Sequence, residues 1–162
     1  MMTVADQLHR AARLYGDRPL AICGDEMRTY ADIESRSNQL ANRLIASGLA
    51  TGDRVAIWLE NSIRCVELDF ALAKAGLVRV SLNPRLSARE AAYIVDDADA
   101  KVLFHDASFD DPLGAIRPEL PKLERIVRIA PGLDEYDAFL TEGAMQAPGV
   151  RFDPEHLYCL FY

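Results

Sequence analysis

Four short runs constrain this chain more than anything else in it: RVAIWL (54–59), LVRVSL (77–82), KVLFH (101–105) and RIVRI (125–129). Each is rich in branched apolar residues, and stretches long enough for helices lie between the first three. Strands that alternate with helices pair in parallel, because a parallel neighbour is reached only through a crossover connection. A strand covered by helices on both faces is apolar along its length, and after Arg54 the first run carries no polar residue. The pattern predicts an open, mainly parallel α/β sheet with helices on both faces and right-handed crossovers.

The connecting segments carry their own signals. Val4, Leu8, Ala11, Ala12 and Tyr15 have helical spacing, and Gly16 stops that helix. LAIC (20–23) and MRTY (27–30) flank Gly24-Asp25-Glu26, which predicts a β-hairpin. Thr29 with Asp32 three residues on resembles a capping box for a helix whose apolar stripe is Ile33, Leu40, Ala41, Leu44 and Ile45. Glu34, Arg36, Asn38 and Arg43 then fall on a solvated face, and Gly48 closes the helix.

The helix that starts at Asn61 or Ser62 and ends before Gly76 is apolar nearly all round, so it should be the most buried. Ser87 and Glu90 form a full capping box for a helix reaching about Asp97. Pro112, Pro118 and Pro121 limit the stretch after KVLFH to a helical turn or two. Leu133 to Leu140 reads as a short helix and residues 141–152 as a loop. Asp153-Pro154-Glu155 reads as the start of one helical turn. Leu157 to Tyr162, without a charge, reads as a buried strand.

Length and charge narrow the classes. A chain of 162 residues fits one domain, 1–162. The net charge of −7 argues against a nucleic-acid partner, which would need clustered Lys and Arg. No apolar run approaches the roughly 20 residues that span a bilayer. Cys23, Cys65 and Cys159 are far apart and odd in number, which reads as free, mostly buried thiols in a reducing, cytoplasmic compartment.

The chemistry-bearing residues are sparse. Neither GxGxxG nor GxxxxGK[ST] occurs, so no Gly-rich loop offers its N–H groups to a phosphate. His9, His105 and His156 are separated in sequence and read as structural or surface residues. His156 and Cys159 lie three apart, but a thiol inside an apolar strand is inert. Asp96, Asp97 and Asp99 read as a solvated helix end. Arg79, Arg85 and Arg89 are the more informative group. Arg85 follows Asn83-Pro84 in the loop after a strand, where open α/β sheets meet their ligands. Arg89 occupies a first helical turn, where a cation is unfavourable unless an anion comes near or Glu90 pairs with it.

Three motifs, in order, resemble the adenylate-forming enzymes, the acyl-CoA synthetases in particular. YGDRPLAICG leads through Thr29, Tyr30 and Ile33 to GDRVAI (52–57), with Asp32 where the family has Glu. LAKAGLVRVSLNPRL (72–86) is similar to the family's LKAGAVYVPLNPRL, with Arg79 in place of Tyr and Ser81 in place of Pro. HLYCLFY (156–162) matches the approach to the family's FYTSGTTG phosphate loop. The match is weakest over 106–150.

The resemblance implies the leading part of an AMP-binding domain, ending just before that loop. It implies an enzyme that activates a carboxylic acid with ATP and Mg2+, forms an acyl-adenylate, and transfers the acyl group to coenzyme A. It places the phosphate loop, the magnesium-binding carboxylate and the catalytic Lys beyond this stretch, so no catalytic or metal-binding residue is named here. It does imply one binding residue, Arg85, on a coenzyme A phosphate. The piece alone is expected to be inactive, to hold no cofactor and to self-associate through its exposed apolar end. Two alternatives remain at this point: a free-standing α/β module that takes an anionic ligand at Arg79–Arg89, and a dimerising interaction domain.

Overall fold

The structure, a computed structural model, describes residues 3–130, 135–153 and 155–162. It contains helix α1 (Val4–Tyr15), the hairpin β1 (Pro19–Cys23) and β2 (Glu26–Thr29), and helix α2 (Tyr30–Ala46). There follow β3 (Arg54–Trp58), α3 (Ile63–Ala75), β4 (Val78–Ser81), α4 (Ala88–Asp97), β5 (Ala100–Asp106), α5 (Asp110–Ile116), β6 (Arg125–Ile129), α6 (Glu135–Thr141) and β7 (Cys159–Leu160). The large sheet has the order β6-β5-β3-β4-β7, and every neighbouring pair in it is parallel. The expected α/β sheet with helices on both faces is therefore present.

Local chemistry accounts for the element boundaries. Thr3, Thr29 and Ser87 cap α1, α2 and α4, each in a complete capping box with the acidic residue three positions on. The short Asp32 side chain reaches back to the Thr29 N–H as Glu would, at 2.9 Å. The hairpin turns on two residues, Gly24 and Asp25, rather than three, with Gly24 at φ +59°. Tyr30 consequently opens α2 instead of ending the strand. At Gly76 the chain leaves α3 in the left-handed region (φ +67°), and an added Cβ would lie 2.9 Å from Phe152.

Two cores sandwich the sheet. On one face Leu40, Leu44, Leu68, Leu72, Phe104 and Tyr136 join α2, α3 and α6 to the strands. On the other, Trp58, Val80, Leu103, Ile94 and Leu113 join α4 and α5. Each fully buried Leu contributes about 1.5–3 kcal/mol. A smaller cluster, Leu8, Ile33 and Ile63, seats α1 and the hairpin.

Three expectations need correction. The face of α2 bearing Glu34, Arg36, Asn38 and Arg43 is not solvated, because α3, α6 and the 141–152 loop cover it. Arg36 forks onto Glu67 (Nε–Oε1 2.6 Å) and also pairs with Asp137. Lys74 Nζ donates to Glu34, Ser37 and Asn38 at 2.7–2.8 Å. Asn38 and Asn42 donate side-chain N–H groups to the carbonyls of Met145, Ala144 and Gln146, and Arg43 pairs with Glu142. The tail is likewise no buried strand: only Cys159 and Leu160 pair, with β4, and Phe161 is 76% exposed. The thiols are free, as expected, but Cys23 is exposed and Cys65 and Cys159 are half-buried. The helix expected from Leu133 is present over Glu135–Thr141, and residues 133 and 134 lie outside the described ones. The turn expected at 153–155 includes Pro154, also outside them.

α3 has most of its residues buried, as its composition predicts, but two of those are the charged Glu67 and Lys74. Glu67, 0% exposed, accepts two bonds from Arg36 and one from the Tyr136 hydroxyl at 2.8 Å. Burial alone would raise the Glu34 carboxyl, yet bonds from Lys74 and His9 hold it below its usual range. Burial lowers Lys74, and the Glu34 bonds offset only part of that. Replacing Glu67 with Ala strands the Tyr136 hydroxyl and half of the Arg36 fork, so Glu67→Ala should cost about 3 kcal/mol in urea unfolding. A loss under about 1 kcal/mol would show that the carboxylate is not needed.

Candidate functional site

Ligands of open parallel sheets approach the carboxyl ends of the strands, and three loops meet there. The first follows β3. Its Glu60 N–H donates to the Asp106 carboxylate at the end of β5, and burial pushes that carboxyl up. The second follows β4 and carries Arg85. The third follows β5, where His105 lies beside Trp58 in register and is almost fully buried. Burial holds the His105 imidazole below its ordinary value, with Nδ1 3.0 Å from the Asp106 carbonyl. Trp58 stacks on Phe109 at 4.5 Å, and Arg128 pairs with Asp110 to close the far side.

The β4 loop is held by its own backbone. Leu82 still pairs with β3 through its N–H to the Ile57 carbonyl, at 2.9 Å. Asn83 Oδ1 then accepts the Arg85 N–H at 3.0 Å, and the Asn83 carbonyl accepts the Leu86 N–H at 3.0 Å. Pro84 fixes its own φ within that turn. Two residues on, the Ser87–Glu90 capping box starts α4. The Arg85 backbone is thus pinned from both sides, while its side chain is exposed and makes no ion pair among the described residues. A fixed stem with a free guanidinium suits an incoming anion.

The three arginines read together from sequence do not act together. Arg79 projects to the α3 face, where it binds Asp69 at 2.7 Å and lies over the rings of Tyr158 and Phe161. Tyr158 also donates its hydroxyl to Asp69. Arg89 is exposed, and Glu90, its expected partner, is taken by Ser87. A shallow groove of about 630 Å³, lined by Leu86, Arg89, Tyr93, Ile94 and Tyr162 among others, runs alongside.

The histidines stay apart: His9 faces Glu34 at 3.0 Å, and His156 Nε2 donates to the Gly76 carbonyl at 2.8 Å. Among the described residues no group of three His, Cys, Asp or Glu could hold a metal. Asp99, read as a solvated helix end, pairs with Lys122 and Arg54.

The profile of the AMP-binding enzymes matches residues 8–162. The chain belongs to the AMP-binding enzyme family. Over 134 residues it is 32% identical to a medium/long-chain-fatty-acid–CoA/3-oxocholest-4-en-26-oate–CoA ligase of Mycobacterium marinum, covering 83% of this chain and 24% of that one. It is 39% identical over 126 residues to a long-chain-fatty-acid–CoA ligase of Thermus thermophilus, covering 75% of this chain and 23% of that one. The fold matches the crystal structure of the N-terminal domain of FACL13 from Mycobacterium tuberculosis with a TM-score of 0.90 at 27% identity, covering 98% of this chain and 41% of that one. The chain therefore spans about a quarter of the length of the curated relatives it matches.

Proposed function

We infer that residues 1–162 form the N-terminal part of the adenylation domain of an ATP-dependent acid–thiol ligase. In the complete enzyme a substrate carboxylate attacks the α-phosphorus of ATP, assisted by Mg2+, and pyrophosphate leaves. The thiolate of coenzyme A then attacks the acyl carbonyl and AMP leaves. The family match carries this reading, and the relatives named as fatty-acid–CoA ligases favour a fatty acid as the carboxylic acid. The described residues supply neither a Gly-rich phosphate loop nor a carboxylate cluster for Mg2+. The chain by itself is accordingly read as inactive and as binding none of these groups. Three free thiols among the described residues fit a cytoplasmic setting, and no helix there is long and apolar enough to cross a membrane.

Arg85 is read as a contact for a coenzyme A phosphate. The support is its unpaired guanidinium on a pinned turn at the carboxyl edge of the sheet. The alternative anion module built on Arg79–Arg89 loses ground because Asp69 already neutralises Arg79. A charge-assisted hydrogen bond is worth about 1.5–3 kcal/mol, so in the complete enzyme Arg85→Ala should raise KM for coenzyme A by roughly 10-fold or more. ATP–pyrophosphate exchange should stay unchanged. Equal KM values for coenzyme A in the variant and its parent would remove this role.

The edges of the sheet favour self-association of the isolated chain. β6 guards its edge with Arg125 and Arg128, whereas β7 offers Cys159 and Leu160 beside exposed Leu157, Phe161 and Tyr162. Sedimentation velocity should show dimers growing with concentration. A monomer at every concentration would contradict the idea.

A further inference from the structure

A cavity of about 430 Å³ lies between α1, the side chains of Glu34 and Lys74, and the 147–152 loop. Lys74 comes four residues before β4 begins at Val78, so the cavity sits at the amino ends of the strands, opposite the edge that carries Arg85. Its floor is fully bonded. Lys74 Nζ donates to Glu34, Ser37 and Asn38, and Glu34 also accepts from His9 Nδ1 at 3.0 Å. Asn38 ties this floor to the loop: its Oδ1 accepts from Lys74 while its Nδ2 donates to the Met145 carbonyl.

The loop wall is held in place from both ends. Asn38 and Asn42 bind the carbonyls of residues 144–146. At the other end the Phe152 ring fills the space that a Cβ on Gly76 would need, and it lies 5.2 Å from the His156 ring. Between these anchors Gly149 turns the chain at φ +66°. Pro148, Val150 and Phe152 line the cavity and are half-buried. A cavity of this volume is in the range of small-molecule sites, and a wall already in place adds no ordering cost to binding.

The charges select the ligand. Four of the five titratable side chains that line the cavity are already engaged: Lys74 and His9 by Glu34, and Asp6 by the Thr3 N–H and hydroxyl of its own capping box. The fifth, Arg151, is exposed at the mouth and has no hydrogen bond or ion pair among the described residues. Arg10 and Arg13, also without ion-pair partners there, line an adjoining groove that shares His9, and they add positive potential near the mouth. We propose that this cavity binds a small monocarboxylic acid as its anion, with the carboxylate on the Arg151 guanidinium and the apolar body along Pro148, Val150 and Phe152. An inorganic anion would leave the apolar wall unused, and an amine would face an unpaired guanidinium. The inference does not rest on the ligase reading.

The test is calorimetric titration of the 162-residue chain with hexanoate, acetate and hexylamine. Hexanoate should bind. Acetate, which lacks the apolar body, should bind about 10-fold or more weakly, and hexylamine should not bind. Arg151→Gln should weaken hexanoate binding by about 10-fold or more. Val150→Asp, which sets a like charge in the apolar wall, should weaken it severalfold. Neither residue is buried, so circular dichroism of both variants should match the parent. Amide NMR shifts on adding hexanoate should centre on residues 147–152 and the start of α1. No binding of hexanoate, acetate binding as tightly, binding of hexylamine, either variant binding like the parent, or shifts centred on residues 83–86 would each overturn the proposal.

Discussion

The buried carboxylate of Glu67 governs how this structure is assembled. It lies in α3, beneath α2 and beside α6, fully removed from water. An ion in that position is tolerated only with its bonds complete, and they come from two different elements: Arg36 of α2 and Tyr136 of α6. Two turns along α3, Lys74 places the opposite charge under the same helix, with Glu34, Ser37 and Asn38 as partners. Sliding α2 along α3 by one turn would break both sets. Apolar packing alone would accept several registrations, whereas the paired charges accept one.

That registration reaches the ligand-facing edge of the sheet. α3 connects β3 to β4, so its position sets where each strand ends and where the Asn83-Pro84-Arg85 turn emerges. Below α3, Gly76 turns the chain back, and its carbonyl accepts bonds from the Gly52 N–H and from His156. Asp69, also on α3, takes Arg79 and Tyr158 and so fixes the approach to β7. One helix therefore positions the central strands, the loop with the free guanidinium, and the edge strand.

Much of this was legible in the residues. The parallel sheet followed from RVAIWL and its neighbours, and two of the three capping boxes from Thr29 and Ser87 with an acid three positions on; the third, Thr3 with Asp6, carries the same signal. Arg85 was singled out by its place after a strand, and the turn that pins it is local. What was not legible depends on partners distant in sequence. Arg36 and Asn38 look solvated on a helical wheel because Asp137 and the Met145 carbonyl are about a hundred residues away. Glu67 and Lys74 did leave a trace, as two of the four charges on a largely apolar helix, seven positions apart. Arg79 could not be assigned to Asp69 from spacing alone, since strand and helix first meet in the folded sheet. The tail looked like core because its composition is apolar, yet a strand paired on one side only leaves such residues exposed.

The central claim is that this stretch frames the adenylation site of a ligase without holding the groups that grip a triphosphate. ATP–pyrophosphate exchange by the purified 162-residue chain tests it most directly, run with short, fatty and aromatic acids and with its fold verified by circular dichroism. The account predicts exchange no greater than the protein-free blank for every acid. Acid-dependent exchange by the chain alone would contradict it.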